Sequence, residues 1–300
     1  MTKSKNTIHL SRSDQVFEIL SYVLLTVLTL VVLYPLYFVL IASISDPNMV
    51  GNGQVIFFPK NIMWNGYQKI FSYKQIWTSY RNTIVYTVLG TLLNVLLTMI
   101  TAYPLSRKDL RGKKLILFYM MFTMYFGGGL IPTFLVIKSL GLYNNWLIMI
   151  FSGLISISNV IICRTFIMNS IPEDLYEAAI LDGANHFHYF RRVVLPLSAP
   201  VLAVMALYYG VGHWNGYWTA MIYLNDKDLY PLQLVLRGIL TLNQIDTDLV
   251  SDFDDIVRQQ RIAELMKYGL IVVSSAPLII IYPFLQKHFA KGVMIGSVKG

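Results

Sequence analysis

The sequence predicts an all-α polytopic membrane protein with six transmembrane helices. Three observations carry that expectation. Of 300 residues, 55% are hydrophobic and 13% charged, too apolar for an ordinary soluble domain. Six apolar stretches are long enough to cross a bilayer, and the basic loops between them fall on one side. A hydrocarbon core roughly 30 Å thick needs about 20 apolar residues of helix.

The stretches are 17–44, 83–105, 115–140, 146–168, 196–224 and 266–289. Lipid offers no partner for backbone N–H and C=O groups, so each run is expected to be helical; none alternates with the period of a barrel strand. The first run exceeds a signal-peptide core and no small-residue cleavage site follows it, so it is expected to remain as an anchor.

The net charge of +8 sorts by side. Residues 106–114 carry Arg107, Lys108, Arg111, Lys113 and Lys114 against Asp109. The N-terminus holds Lys3, Lys5 and Arg12, and the C-terminus Lys287, Lys291 and Lys299. The positive-inside rule then places both termini of this multi-pass chain in the cytoplasm. The longest opposite loop, 225–265, has eight carboxylates and four basic residues. Such sorting favours lipid over nucleic acid as the partner of the positive charge.

Between the first two runs, about forty residues with Pro47, Gly51, Gly53 and Pro59, then Trp64, Tyr67, Phe71, Tyr73 and Trp77, read as a partly helical interfacial segment. The single cysteine, Cys163, excludes an intramolecular disulfide and a cysteine-based metal site, and reads as a packed small residue. Without internal repeats, residues 1–300 read as one membrane domain.

The loop at 169–195 is longer than a helical hairpin needs and keeps helical patterning. Ser170, Pro172 and Glu173 read as a helix start with a capping box. Leu175, Ala178, Ala179 and Leu181 form a small apolar face, and Gly183 stands where a helix ends left-handed. A second helical stretch from about Asn185 to Val194 carries Phe187, Phe190, Arg191 and Arg192, and Pro196 is expected to open the next span.

Glu177-Ala178-Ala179, Gly183, Val193 and Leu195-Pro196, at their spacing, resemble the EAA motif of ABC importer permeases, with Val193 where that family more often has isoleucine. The whole chain resembles carbohydrate-type permeases of the maltose-transporter class, nearest to those for oligosaccharides or complex glycans. The further strings are Gly127-Gly128-Gly129-Leu130-Ile131-Pro132, Trp214-Asn215, Tyr230-Pro231-Leu232-Gln233 and Gly292-Val293-Met294-Ile295-Gly296. The resemblance implies a type I ABC importer transmembrane domain, and a coupling helix that Glu177, Ala178, Ala179, Asp182, Gly183, Leu195 and Pro196 present to a separate ATPase. It implies a second permease subunit in a heterodimer, two ATPase subunits and an external sugar-binding protein. ATP and Mg belong to the ATPase, and no cofactor to this chain. The tail 291–300 is expected to reach between the ATPase subunits.

Sugars are polar with apolar ring faces, so their path needs rings beside hydrogen-bonding groups. Candidates are Tyr125, Asn159, Trp214, Asn215, Tyr217 and Trp218. Asn215 is expected to face the bundle interior and His213 to be a bonded structural residue. An aromatic belt with close helix packing explains the cluster at 214–218 equally well, and Gly127 to Gly129 read as a kink or a hinge. The run Asp246, Asp248, Asp252, Asp254 and Asp255 lacks the glycine and glutamate of a calcium loop and reads as solvated surface. No phosphate-binding loop or H-E-x-x-H is present, so the chain is expected not to be an enzyme. A permease for a non-sugar solute, or a secondary carrier, stands as the alternative, the carrier weakened by the lack of acidic residues in spans two to five.

Overall fold

The computed structural model describes residues 11–242 and 264–283. Those residues contain helices and no strand. The N-terminal Lys3 and Lys5, the acidic run at 246–255 and the tail at 291–300 lie outside the described residues. The chain divides into two compact units, Met1–Ile70 with Asp246–Val272, and Phe71–Ile245 with Val273–Gly300.

In the first unit, α1 (Arg12–Ser43) begins in a capping box, with the Asp14 amide on Ser11 Oγ and the Ser11 amide on Asp14. Its side chains stay largely exposed until Ile41, Ala42 and Ser43, and with an apolar surface nearly all round it suits lipid or another membrane helix. Ile41 and Ala42 pack with Val50 of the short α2 (Pro47–Gly51) and with Val55 and Tyr268. In α3 (Asn65–Ser72), Gly66 has no room for a side chain, because a Cβ there would stand 2.2 Å from the carbonyl oxygen of Leu265. The segment expected to be partly helical is so built.

The second unit is organised around α4 (Lys74–Ser106), against which α8 (Ile157–Ser170) and α12 (Ala199–Trp214) pack. Met99, Ala102, Val160, Cys163, Val194 and Met205 form their common core, each no more than 2% exposed. Cys163 is thus the packed small residue its sequence context predicts. Gly90 of α4 lies where a Cβ would meet the His213 ring at 2.4 Å. The ring occupies that space and bonds Asn94 through Nε2 at 2.9 Å.

Three expected spans are not single helices. The stretch 115–140 is α5 (Lys113–Tyr125) and α6 (Leu130–Ser139), bent by 111° at the glycine run. Phe126 is extended and Gly129 has φ 85°, a conformation that glycine adopts without steric cost. The stretch 146–168 is the short α7 (Ile148–Phe151), a break with Gly153 at φ 72°, and α8. Asn94 Nδ2 donates to the carbonyls of Gly153 and Leu154 at 2.8 and 3.0 Å, meeting the acceptors that the break frees. The stretch 196–224 breaks at Ser198 and again after Trp214. Pro196 therefore lies before the membrane helix, in α11 (Leu195–Leu197), and α12 starts with Pro200 in its first turn. α13 (Tyr217–Tyr223), a 3-10 turn at Lys227–Leu229 and α14 (Leu232–Leu242) follow, and α15 runs Glu264–Pro283. Among the described residues α1, α4 and α15 are long and apolar enough to cross alone; the pairs bent at the glycine run and at Ser198 qualify only when each is taken as one span.

Candidate functional site

The segment between α8 and α12 is held by its own turns and by the loop after α4. Pro172 and Glu173 start α9 (Asp174–Leu181), with the Leu175 and Tyr176 amides on their carbonyls. Ser170 does not cap it. Ser170 is the last residue of α8, Ile171 is extended as the residue before a proline prefers, and the Glu173 carboxylate is engaged elsewhere. Gly183 has φ 79°, with its amide on the Ile180 carbonyl and the Ala184 amide on that of Ala179, both at 2.9 Å. These are the two bonds of a Schellman end, which satisfy carbonyls of the last turn. Asn185 then caps α10 (His186–Tyr189) by accepting from the His188 amide at 2.8 Å. A π-turn, Phe190–Val194, joins it to α11.

The first turn of α9 is clamped to the α4–α5 loop. Lys108 Nζ lies 2.6 Å from Glu173 Oε2, and Arg107 Nη2 3.6 Å from Oε1. The Lys108 ammonium holds the Glu173 carboxyl below the usual carboxylate range, and the same bond raises Lys108. Arg107 also lies 3.3 Å from Asp109 and places its guanidinium 3.4 Å from the centroid of the Tyr176 ring. With only 13% of its side chain exposed, Arg107 makes that cation–π contact partly desolvated, where it is strongest. Tyr176 also stacks on His186 and meets the edge of Tyr189, and Tyr103 of α4 packs on Phe190 at 5.2 Å.

This anchoring leaves most of α9 and the outer side of α10 uncovered. Leu181 is 88% exposed and Phe187 69%, with Leu175 and Ile180 also exposed, and Asp174, Glu177 and Asp182 beside them. Of the motif residues, Glu177, Ala178, Asp182, Gly183 and Pro196 are exposed. Ala179 and Leu195 are half-buried against the protein's own core.

The candidate path residues separate. Trp214 is 4% exposed, donates from Nε1 to the Ser274 carbonyl at 2.9 Å and meets Tyr80 edge-on. Asn215 is exposed rather than turned to the interior, because α12 ends there and its Nδ2 caps the Val211 carbonyl at 3.0 Å. Asn159 is buried on α8, Tyr125 is exposed at the end of α5, and Tyr217 and Trp218 are exposed on α13. His213 is bonded to Asn94, as its expected structural role requires.

A family model described as "Binding-protein-dependent transport system inner membrane component" matches residues 7–295. The chain belongs to this family. It is 38% identical over 288 residues to the polygalacturonan/rhamnogalacturonan transport system permease YtcP of Bacillus subtilis, a match covering 96% of this chain and 99% of that one. Protein LplC of the same organism is 36% identical, with 98% and 99% covered. A solved structure of a bacterial ABC transporter involved in import of the acidic polysaccharide alginate matches with a TM-score of 0.83 and 35% identity, covering 94% of this chain and all of that chain. The chain is therefore an inner-membrane component of an ABC importer with the fold of such transmembrane domains, and permeases of this kind act beside an ATPase that uses the ATP.

Within this permease the sequence missed a polar cleft of about 200 Å³ lined by Asn94, Ser152, Tyr208, Tyr209, His213 and Thr219, with Gly153, Gly212 and Gly216. Tyr209 anchors its floor through its hydroxyl, 2.7 Å from Thr98 Oγ1 and 3.2 Å from the Ser156 amide, which donates to it. None of the six candidates lines it; Trp214, Asn215, Tyr217 and Trp218 stand close to it in sequence, at the end of α12 and on α13, while Tyr125 and Asn159 lie on α5 and α8. Asn94 in the middle of an apolar helix was the available signal, since a membrane asparagine requires partners.

Proposed function

We propose that this chain is one of two different permease subunits of an ATP-driven importer for oligosaccharides, acidic glycans foremost. The 172–197 segment is its seat on the ATPase. The observation that carries the seat is the exposure of the large apolar side chains Leu181 and Phe187 on a segment that Arg107, Lys108 and Tyr103 hold through Glu173, Tyr176 and Phe190. Holding so much apolar surface in water is unfavourable, and a partner groove relieves it. Glu177, Ala178, Asp182 and Gly183 are also exposed, with carboxylates for donors and little bulk for close approach. Relatives named for polygalacturonan or rhamnogalacturonan, arabinooligosaccharides and galactooligosaccharides support the cargo class.

In this reading two ATPase subunits carry ATP and Mg, an external binding protein delivers the sugar, and lipid surrounds the helices. The rings and amides around the 94–213 cleft then meet the sugar while both termini face the cytoplasm. Reconstitution with the second permease, the ATPase and the binding protein is the test. ATP hydrolysis that rises with sugar-loaded binding protein, and requires this chain, is the expected result. Hydrolysis indifferent to this chain, or labelling of a cysteine at position 177 from outside intact cells, defeats the reading.

A further inference from the structure

α14 is amphipathic. Leu232 and Leu236 are buried, 0% and 9% exposed, while Arg237 faces out. The Arg237 guanidinium lies 5.0 Å from the centroid of the Tyr217 ring, and its Nη1 is 3.1 Å from Met221 Sδ. Among the described residues no carboxylate lies within 4 Å of it; the ion pairs there all belong to Arg107 and Lys108. A guanidinium has five donors in a planar fork, and a ring face and a thioether occupy few of them. The contact with Tyr217 restricts the guanidinium, so less entropy is lost when the fork engages an anion. The Tyr217 ring beneath the guanidinium is 37% exposed, and Trp218, the next residue of α13, is 55% exposed.

An exposed tyrosine ring next to a carboxylate-matching fork, on a helix that also exposes an indole, suits a sugar ring that carries an acid group. The ring takes the apolar face and the fork takes both carboxylate oxygens. We propose that Arg237, Tyr217 and Trp218 form a subsite of this permease for one uronic-acid unit of an acidic oligosaccharide. The proposal rests on the saccharide reading above and adds the group that selects charge.

The test uses the assembled complex in liposomes, with uptake of labelled trigalacturonate compared with its fully methyl-esterified form. Charge-assisted hydrogen bonds predict that Arg237→Gln lowers uptake of the acid about tenfold, through a raised half-saturation concentration, and leaves the ester unaffected. Arg237→Lys, which keeps the charge and loses the fork, is expected to fall between. Equal losses for acid and ester, or no loss for either, overturn the subsite alone. A loss that appears only in liposomes containing anionic lipid makes Arg237 a headgroup anchor and also overturns it. Wild-type uptake of neither form overturns the saccharide reading and the subsite with it.

Discussion

Two loops of the second unit are fastened to α4 in opposite ways. The segment 224–232 is sewn down through its own backbone. Asn82 Nδ2 donates to the carbonyls of Asp228 and Tyr230 at 2.6 and 3.3 Å, Tyr86 to that of Leu229, and the Leu232 amide donates to Thr83 Oγ1 at 2.8 Å. The segment 172–190 is held by side chains, the Glu173 carboxylate and the Tyr176, Tyr189 and Phe190 rings, leaving Leu181 and Phe187 exposed. Neutral bonds to the main chain fix a loop residue by residue. A charge and ring clamp at one end fixes a whole helix and lets it move as a body, which suits a segment that must pass on a displacement.

That contrast can be broken first at Gly183. Valine there must adopt a left-handed conformation costing roughly 1–2 kcal/mol for an ordinary residue and more when β-branched. The helix pair 174–189 then loses its turn, and we expect transport to be abolished while the protein still inserts, measured as uptake alongside hydrolysis in liposomes. Import at the wild-type rate would remove the segment from the transport cycle.

Phe187→Ala tests the exposed apolar surface. The side chain is 69% exposed, so thermal stability of the isolated permease should stay unchanged, while ATPase association in detergent weakens by about tenfold, the usual scale for a buried aromatic anchor. The sewn loop should answer the other way. Asn82→Ala strands two carbonyls, at about 1–3 kcal/mol for an unsatisfied buried group, and is expected to raise hydrogen exchange of 228–232 with ATPase association unaltered.

The smallest effect concerns protonation of the clamp. Glu173 is lowered, so its contribution is complete above the ordinary carboxylate range and is lost as pH falls through the depressed value. Lys108 is raised, so its contribution is complete below the usual lysine range and is lost only as pH rises through the elevated value. Coupling of hydrolysis to transport should be flat across neutral pH, with looser coupling in acid. Glu173→Gln should show the loosened coupling at neutral pH and lack the acid step.

Local features were legible in the sequence. The apolar runs, the turn at Gly183 and the helix start at Pro172 depend on neighbours a few residues away, and the loop 169–195 stood out by its length and helical patterning. Pairings across the chain were not legible. Gly90 reads as any small residue of an apolar run until the His213 ring fills its place, and Arg107 reads as one charge of a basic loop until Tyr176 stands beneath it. The bend at 127–129 was visible as a break, but its 111° was not, because φ at a glycine is not set by its neighbours' identity. Asn215 misled because a helix end exposes a residue that a continuous helix would have buried.

The π-turn at 190–194 fixes a phase angle. Each residue of an α-helix advances roughly 100° about the axis, so a segment wound more widely shifts the azimuth of everything beyond it. Tyr189 and Phe190 meet Tyr103 on one side of that turn, and Leu195 meets the core on the other. Removing one residue between them would restore ordinary winding and swing one set of anchors off its seat. The extra residue acts as a spacer in rotation, the way a shim acts in length, and the azimuth of α10 relative to α11 depends on it.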